Sequence, residues 1–381
     1  MGIKTGLIGA GGRGVFLGGL LYKIRGAELI GIAEISQEIR EKARETFGGD
    51  VKIFNHHKRI LEDKQIEAVI IATPDWTHYK ICADALMAGK HVFCEKPLGI
   101  TASQAKNLVA LAKNKKRILA VGFCFRFVSI FKKTKEIIES GRLGNVQFIQ
   151  ATYFRPAGSG FFRGWHRFRK NSGGLLVHKG CHIFDLISWF LSSNPVKVSA
   201  VGGLNVFKPV KKAGIRCSEC SLKMRCPEYS EKQMNLCVFN SDKDTFDNTF
   251  TLIEYENGSR ATYASSFFTP HCIEFVISGD KGTLRAEWIS RKVKRVFNLY
   301  IEERYTDRAI SYNVNPNTKP PEIDELKEFF KAIRGQKTKY LAFGKDGYIA
   351  TLLGECAENS VRSNRTIILK QDYSYKLPIL F

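Results

Sequence analysis

The chain has 381 residues, of which 44% are hydrophobic and 25% charged, so it is long enough for two domains and has the composition of a soluble globular protein. No apolar run reaches the roughly 18 residues of a membrane span, and the N-terminal pattern is not that of a signal peptide, which predicts a cytoplasmic protein with no membrane partner. The net charge of +22 comes from 59 basic and 37 acidic residues that are spread along the chain without a nucleic-acid motif, so nucleic acid is not an expected partner.

The first 34 residues have the pattern of a strand, a glycine turn, a helix and a second strand. An apolar run at Ile3–Ile8 precedes Gly9–Gly14 (GAGGRG), and after a helical stretch the second run, Ala27–Ala33, ends at Glu34. The glycines would allow a tight turn, close approach of the backbone to a pyrophosphate, and packing of the helix on the strand. The carboxylate of Glu34 would accept the ribose hydroxyls and favour NAD over NADP, and Arg40 leaves NADP open.

Strands and helices continue to alternate up to residue 122. The predicted strands are 51–54, 68–72, 91–94 and 118–121, and the predicted helices are 37–47, a short one around 59–61, 79–88 and 101–115. This alternation predicts an α/β domain over residues 1–122, with a doubly wound parallel sheet of the Rossmann type that binds NAD(P).

Beyond residue 122 the pattern changes to alternating strands. Strands are predicted at 146–154, 196–206, 250–255, 261–268 and 272–278, with turns at 257–258 and 279–282 and helices at 131–139, 322–334 and 346–362. A second, α+β domain is therefore expected over 123–381. Its sheet should be largely antiparallel, open on one face and covered by helices on the other.

Two more stretches follow buried strands of the first domain. They are Thr73–His78 and Glu95-Lys96-Pro97. Ligands of open α/β sheets lie beyond the carboxyl ends of the strands, so both stretches should face the cofactor. A lysine directly after a buried strand at that edge is interpreted as functional, and a cis bond between Lys96 and Pro97 is a further hypothesis.

Polar residues also share one face of a predicted helix in the second domain. If the helix begins at Gly174 and turns by about 100° per residue, His178, His182 and Asp185 form one stripe, with Lys179 beside it. Such groups are costly to bury unless they are used, which predicts a site. A zinc site at the two histidines is a weaker alternative, because no zincin glutamate separates them and the lysine would repel the cation.

Together these motifs resemble the glucose-fructose oxidoreductase/inositol dehydrogenase (Gfo/Idh/MocA) family over essentially the whole chain. The resemblance rests on the glycine turn, Ala72–His78, Glu95-Lys96-Pro97, Gly122-Phe123 with Arg126, and the stretch from Gly173 to Asp185. It implies that the first domain binds NAD(P), that Lys96 orients the substrate hydroxyl, and that His182 takes its proton. Trp165 and Arg167 resemble the family's pair near the nicotinamide.

The resemblance and the motifs define two sets of candidate residues. The cofactor set is Gly9, Gly11, Gly12, Arg13, Gly14, Glu34, Thr73, Pro74, Asp75, His78, Glu95, Lys96, Trp165 and Arg167. The substrate set is Lys96, Arg126, His178, Lys179, His182 and Asp185, of which Lys96, His182 and Lys179 are the catalytic candidates.

The chain departs from the family at one position. Many members carry aspartate four residues before the histidine, where this chain has His178, followed by Lys179. The cationic neighbours should keep His182 neutral and able to accept a proton, and Lys179 could stabilise an alkoxide or bind a substrate carboxylate or phosphate.

The expected function is hydride transfer between nicotinamide and a secondary alcohol of a sugar, sugar acid or cyclitol. The substrate is thus a small polyol or sugar, possibly anionic, and the resemblance implies that the second domain binds it. The open sheet face of that domain and the resemblance favour oligomerisation through it, as a homodimer or homotetramer. Two alternatives stay open: an NAD-dependent glycosidase that acts by transient oxidation and elimination, and a non-catalytic NAD-binding sensor.

Four of the ten cysteines lie close together in a polar stretch at about 210–240, which is interpreted as an insertion. Cys217, Cys220, Cys226 and Cys237 have a spacing that suits a structural Zn²⁺ site. An iron–sulfur cluster, reduced thiols and disulfides are the alternatives.

Overall fold

The computed structural model describes residues 2–156, 158–209, 216–230, 236–239, 242–290, 295–306 and 308–370. Within the predicted cysteine-rich insertion, 210–215, 231–235 and 240 lie outside the described residues, as do 371–381 of the predicted tail. The chain divides into two compact units, 1–128 with 317–351, and 129–316 with 352–381. These units differ from the predicted domains 1–122 and 123–381, because residues 317–351 lie with the N-terminal part of the chain.

The first unit is built on a six-stranded parallel sheet. Its strands are β1 (Ile3–Ile8), β2 (Ala27–Ala33), β3 (Lys52–Phe54), β4 (Ala68–Ile71), β5 (His91–Glu95) and β6 (Leu119–Gly122). They are ordered β3-β2-β1-β4-β5-β6, and every pair is parallel. The order reverses direction between β1 and β4, as in doubly wound nucleotide-binding sheets, which confirms the predicted fold of this part of the chain.

Five helices connect these strands. They are α1 (Gly12–Leu21), α2 (Gln37–Phe47), α3 (His57–Glu62), α4 (Asp75–Met87) and α5 (Ala102–Lys115). The Thr101 side chain caps α5 by accepting the N–H of Gln104, as the sequence predicts. Helix α4 begins at Asp75, before the predicted start at residue 79, because Pro74 serves as its N-cap and the acidic residue suits the first turn.

The second unit contains a nine-stranded sheet. Its strands are β7 (Val146–Phe154), β8 (Pro195–Gly203), β9 (Asn248–Tyr255), β10 (Arg260–Ser266), β11 (Cys272–Gly279), β12 (Gly282–Ser290), β13 (Arg295–Glu303), β14 (Ala309–Tyr312) and β15 (Ile367–Ile368). They are ordered β14-β13-β12-β11-β7-β10-β9-β8-β15, and only the β7–β10 pair is parallel. The largely antiparallel sheet is confirmed, although β12, β13, β14 and β15 are absent from the prediction.

The remaining helices are α6 (Ser129–Glu139), α7 (Gly158–Arg163), α8 (Arg169–Ser172), α9 (Cys181–Leu191), α10 (Pro321–Ile333) and α11 (Gly344–Ser363). Short 3-10 helices occupy Cys124–Phe127, Trp165–Arg167, Cys217–Glu219 and Lys223–Arg225. No helix in the described ranges combines the length and apolarity needed to cross a membrane.

Helix α10 completes the core of the first unit. Its residues Ile323, Leu326, Phe329 and Phe330 are buried in one cluster with strand residues such as Leu7. The parallel sheet therefore gains part of its apolar cover from a segment that lies about two hundred residues further along the sequence.

The sheet of the second unit is covered on one face. Helices α6 and α9 pack against β12 and β7, and alternate residues of β7 (Ile149, Ala151 and Tyr153) are buried. The opposite face is more exposed and carries apolar side chains: Phe148, Val201, Phe250 and Leu252. This one-sided sheet agrees with the prediction.

The predicted regular α-helix from Gly174 is wrong in its first turns. Leu176–Gly180 forms a π-helix, and the α-helix begins at Cys181. Because a π-turn contains more residues than an α-turn, the step of about 100° does not apply between His178 and His182. The stripe predicted from that step therefore holds only within α9, for His182 and Asp185.

Candidate functional site

Three glycines of the turn after β1 have identifiable structural roles. Gly9 has a φ of +90°, and a Cβ there would lie 2.8 Å from the carbonyl oxygen of Ala72. A Cβ on Gly14 would lie 1.9 Å from the carbonyl oxygen of Gly9. At Gly11, the N-cap of α1, a Cβ would meet nothing within 4 Å, which leaves space at the helix N-terminus for a phosphate.

Glu34 lies at the end of β2 beside this turn. Its two carboxylate oxygens accept the backbone N–H groups of Ala10 at 2.8 Å and Ser36 at 2.9 Å. The Arg40 guanidinium donates to the carbonyl oxygens of Glu34 and Ile35 at 2.9 and 2.8 Å. The acid predicted to bind ribose is thus fixed next to the glycine turn, with an arginine on the chain that follows it.

An ion-pair cluster links the glycine turn to the end of β5. Arg13 lies 2.7 Å from Glu95 and 2.8 Å from Glu322 of α10. Both carboxylates are buried, and Gly122 leaves room for Glu95, since a Cβ there would lie 3.2 Å from its carboxyl group. Sequence reasoning missed Glu322, because nothing in its local pattern distinguishes it from an ordinary first-turn helix acid.

Lys96 follows Glu95 directly and is half-buried. The Lys96–Pro97 peptide bond is cis, as hypothesised. Because β1, β4 and β5 are parallel neighbours, the glycine turn, the Thr73–His78 stretch and Lys96 all lie at one edge of the sheet.

His78 links the loop that follows β4 to the loop that follows β5. Its Nδ1 lies 2.7 Å from the carbonyl oxygen of Pro97 and its Nε2 lies 2.8 Å from that of Thr73. Burial lowers the pKa of His78 and outweighs the opposite effect of the two carbonyls. Because both ring nitrogens face backbone oxygens, His78 fixes the positions of these two loops. The buried Asp75 is the first residue of α4, the helix that carries His78.

Arg126, a predicted substrate ligand, lies in the 3-10 helix after β6. It is buried, and its Nη2 lies 3.1 Å from Oδ1 of Asp346. The guanidinium therefore already forms an ion pair within the first unit.

In the second unit, the candidate base lies at the start of α9. His182 is buried, as is Asp185 one turn further along the same helix. His178 and the half-buried Lys179 lie in the preceding π-helix, so the four residues predicted as a site occupy one continuous stretch.

Aromatic side chains surround His178. Its ring centroid lies 4.6 Å from that of His166 and 5.6 Å from those of Phe161 and Trp165. The His166 ring stacks on Trp165 at a centroid distance of 3.7 Å, and the Lys179 Nζ lies 5.5 Å from the centre of the Phe161 ring. His166 and Phe161 are absent from the predicted site, since their approach depends on the fold.

Arg167, a predicted cofactor ligand, is engaged by backbone carbonyls. Its Nε donates to Asp242 at 2.8 Å, and its Nη1 donates to Arg163 at 2.8 Å and Gly164 at 3.1 Å. The side chain thus ties the Trp165–Arg167 turn to a neighbouring segment.

A buried carboxylate lies behind the π-helix. Glu358 of α11 lies 3.7 Å from Arg169 and 3.8 Å from Arg362, and it accepts the N–H of Leu176 at 3.4 Å. Burial raises the pKa of Glu358 to about 7. Gly174, with a φ of +98°, makes room for this side chain, because a Cβ there would lie 2.1 Å from Oε1. The sequence holds no signal for this contact.

The zinc prediction for the cysteine cluster is not supported. All ten cysteines are free, and in the described parts of the chain no group of three or more His, Cys, Asp or Glu residues could hold a metal ion. Cys217 and Cys237 are buried, whereas Cys220 and Cys226 are half-exposed. The disulfide alternative is not supported either, since none of the ten cysteines is disulfide-bonded in the structure.

Two family models match the chain. Residues 3–123 match the NAD-binding Rossmann domain of the oxidoreductase family, and residues 131–285 match the GFO/IDH/MocA C-terminal domain. The chain belongs to the Gfo/Idh/MocA oxidoreductase family. It is thus an oxidoreductase whose N-terminal domain is of an NAD-binding type.

Curated relatives agree with this assignment. Myo-inositol 2-dehydrogenase of Thermotoga maritima is 25% identical over 97% of this chain and 99% of its own length. YteT of Bacillus subtilis is 28% identical, and that match spans 58% of this chain and 60% of YteT. Glucose-6-phosphate 3-dehydrogenase of B. subtilis is 30% identical over 53% of this chain and 57% of that protein. The chain thus spans about three fifths of the length of some relatives and almost all of others.

Solved structures show the same fold. An aldose-aldose oxidoreductase from Caulobacter crescentus, complexed with glycerol, gives a TM-score of 0.75 at 18% identity, covering 97% of this chain and 100% of that one. The WlbA dehydrogenase from Bordetella pertussis, in complex with NADH and UDP-GlcNAcA, gives 0.75 at 19% identity and covers 98% and 100%.

Proposed function

We propose that the protein is an NAD(P)-dependent dehydrogenase that oxidises a secondary alcohol of a sugar, sugar acid or cyclitol. The observation that supports this most directly is the contact of Arg13 with Glu95, which joins the nucleotide turn to the residue preceding Lys96. A lysine held at the same sheet edge as a nucleotide site is suited to act on a substrate bound beside the cofactor. Relatives named as inositol and sugar-phosphate dehydrogenases support a polyol or sugar substrate.

The first unit has the features needed to hold the cofactor. Gly11, Gly12 and Gly14 would let the pyrophosphate approach the N-terminus of α1, and Glu34 would accept ribose hydroxyls. Thr73, Pro74 and Asp75 border the same edge, and we assign Trp165 and Arg167 to the nicotinamide end. A bound nicotinamide would supply the acceptor for the hydride from the alcohol carbon.

The chain itself supplies the acid–base chemistry. His182 accepts the hydroxyl proton as the C–H bond breaks, and the Lys96 ammonium stabilises the negative charge that develops on oxygen. Lys179, in the π-helix before His182, acts as a second cation toward the substrate. Asp185, His178 and Arg126 complete the set of proposed substrate contacts.

NAD is the favoured cofactor, with NADP as a weaker second. The Glu34 carboxylate would repel a 2′-phosphate. However, Arg40, Arg44 and Arg59 line a cavity of about 610 Å³ together with Asn55, so cationic groups lie near the end of β2.

Rates with a substrate panel test the proposal. Glucose, glucuronate and myo-inositol are offered with NAD⁺ and with NADP⁺, and formation of reduced cofactor is followed by absorbance. Lys96→Ala and His182→Asn should each lower kcat by roughly 100-fold or more while the Kd for NADH changes little. Lys113→Ala, which removes an exposed lysine of α5, should change neither.

Three results would contradict this proposal. Full turnover in either active-site variant would exclude the assigned roles. Sugar release from a glycoside without net formation of reduced cofactor would instead identify a glycosidase, and cofactor binding without any turnover would indicate a sensor.

We also propose that the protein is a cytoplasmic homodimer or homotetramer. Ten free cysteines are typical of a reducing compartment. The exposed sheet face with Val201 and Phe250, 62% and 61% exposed, is a suitable surface for association of two copies.

A further inference from the structure

Cationic and imidazole side chains converge on one aromatic ring of the second unit. The ring is that of Phe161, which is buried on α7. Its centre lies 5.1 Å from the centre of the His166 ring and 5.6 Å from that of His178. The Lys179 Nζ lies 5.5 Å away and the Arg155 Cζ 5.8 Å away. We call these five residues the Phe161 cluster.

Arg155 is held firmly in this cluster. It follows β7 directly, and its backbone N–H donates to the carbonyl oxygen of Ser266 at 2.8 Å. Its Nη1 donates to the hydroxyl of the buried Tyr153 at 3.0 Å. The anchored backbone and this hydrogen bond fix the direction of the guanidinium.

The rest of the guanidinium has unmet hydrogen-bonding capacity. Its Nε is buried and has no hydrogen-bond partner among the described residues. No carboxylate of the described residues forms an ion pair with Arg155. A buried donor without an acceptor destabilises a protein, so this Nε is suited to a ligand that accepts its hydrogen bond. A guanidinium is suited to a carboxylate or phosphate, which it can bind through two parallel N–H groups.

The cluster adjoins the candidate catalytic base. Lys179 and His178 precede His182 by three and four residues along the same helical stretch. A ligand that contacts the Phe161 cluster can therefore reach His182 with another part of the same molecule. Tyr153 and Phe161 supply an apolar wall, which strengthens an ionic contact by excluding water.

We infer that Arg155, assisted by Lys179, binds an anionic substituent of the substrate, a carboxylate or a phosphate, and so selects sugar acids or sugar phosphates over neutral polyols. This inference rests on the proposed dehydrogenase function, because it places the anion on the molecule whose hydroxyl His182 deprotonates. The two sources of negative charge share the same chemistry, and the experiment separates them.

Equilibrium binding to the NAD⁺-loaded protein tests the inference without requiring turnover. Glucose, glucuronate and glucose 6-phosphate are titrated by calorimetry into the wild type, Arg155→Gln and Arg155→Lys. At least one anionic sugar should bind the wild type roughly tenfold or more tightly than glucose. Arg155→Gln should remove that preference with little change for glucose, and Arg155→Lys should restore part of it.

A matched variant controls for the change in overall charge. Arg225→Gln removes an exposed arginine of the same unit and should leave the preference unchanged. Thermal melting of each variant shows whether it is folded, and a folded Arg155→Lys keeps the test valid if Arg155→Gln is not. The inference is overturned if neither anionic sugar binds more tightly than glucose, or if the glutamine variant retains the preference.

Failure of the inference is distinct from failure of the proposed function. If substrates are oxidised but Arg155→Gln affects neutral and anionic sugars equally, the enzyme is a dehydrogenase and the anion site is wrong. If anionic sugars bind through Arg155 but Lys96→Ala and His182→Asn leave turnover intact, the anion site stands and the catalytic assignment falls.

Discussion

Both carboxylate oxygens of Glu34 accept backbone N–H groups, so this side chain is oriented before any cofactor arrives. The hydrogen bonds from Ala10 and Ser36 keep the negative charge at the end of β2. A fixed charge discriminates between ligands more strongly than a mobile one, because the protein cannot move it away from a second anion.

Replacement of that charge should change the cofactor preference. In Glu34→Gln the amide oxygen can still accept a hydrogen bond, but the repulsion of a 2′-phosphate is lost. We expect the ratio of the Kd for NADP⁺ to that for NAD⁺ to fall by roughly 10-fold or more, as measured by fluorescence titration. Glu41→Gln, an exposed change on α2, should leave the ratio alone, and an unchanged ratio in Glu34→Gln would show that this acid does not select the cofactor.

Glu358 is a second residue whose surroundings determine its protonation. It is fully buried, with Arg169 and Arg362 close to it and Asp244 opposing them. Burial raises its pKa from the ordinary 4.5 to about 7, so the two arginines compensate only part of the cost of the buried charge.

This shift predicts how stability depends on pH. Between pH 4.5 and about 7 the folded protein retains a proton that the unfolded chain has lost, so this residue's contribution to stability falls as the pH rises through that window. Glu358→Gln should remove this pH dependence. Its total effect on the free energy of unfolding across the window is about 3 kcal/mol at most. Urea unfolding at several pH values measures it, with the exposed Glu302→Gln as control, and an identical slope in wild type and Glu358→Gln would exclude the mechanism.

At the scale of elements, the π-helix packs closely against α11. A Cβ on Gly354 would lie 2.9 Å from the carbonyl oxygen of Leu176 and 2.9 Å from the Cα of Val177. One turn later on α11, Glu358 accepts the N–H of Leu176. The backbone that precedes His182 is therefore supported by a helix far away in the sequence.

A methyl group at this contact should disturb both stability and catalysis. Gly354→Ala must push the π-helix away, which we expect to cost about 1–3 kcal/mol and to lower kcat. Gly19→Ala, at a helical glycine with open space around it, should instead be neutral or stabilise by about 0.5–1 kcal/mol. Thermal melting measures the stability of the two variants and initial rates measure their kcat. Equal stability and equal kcat in the two variants would mean that the contact is unimportant.

The elements of the first unit follow from the sequence more readily than those of the second. Strand β4, with the sequence AVII, is fully buried and reads as a continuous apolar run, and the caps and glycines around it are local signals. In strand β12, buried Leu284 and Ala286 alternate with charged residues. The charged residues obscured this alternation in the sequence, and it becomes clear only when β12 is seen paired with β11 and β13. The π-helix could not be predicted from local sequence, and the residues that contact it, Gly354 and Glu358, lie far along the chain.

The candidate site shows the same division. Gly9, Glu34 and Lys96 were predicted from neighbours in the sequence, and the structure brings them to one sheet edge. Arg155 and His166 were not, since both approach the Phe161 ring only in the folded chain. Local motifs therefore predict which residues of the first unit lie together at this end of the parallel sheet, but not which residues surround His178.

At the scale of the whole molecule, the exposed sheet face should govern assembly. Val201 and Phe250 are register partners on β8 and β9, and both are more than half exposed. Phe250→Asp would place a charge in the proposed interface, so we expect the molar mass from light scattering to fall toward that of the 43.0 kDa chain. Leu222→Asp, at an exposed apolar residue outside the sheet, should not change it. A monomeric wild type, or an unaltered mass in Phe250→Asp, would refute the assembly.

The first unit is discontinuous, and this has a consequence for how the protein is made. Its sheet ends at Gly122, but Phe329 and Leu341, which share its core, emerge from the ribosome only after 129–316 have been synthesised. The nascent nucleotide-binding half must therefore wait, with apolar surface uncovered, until translation is nearly finished. A nonsense mutation at residue 317 would leave every glycine of the turn intact, yet it would deprive Arg13 of Glu322 and abolish cofactor binding from a distance.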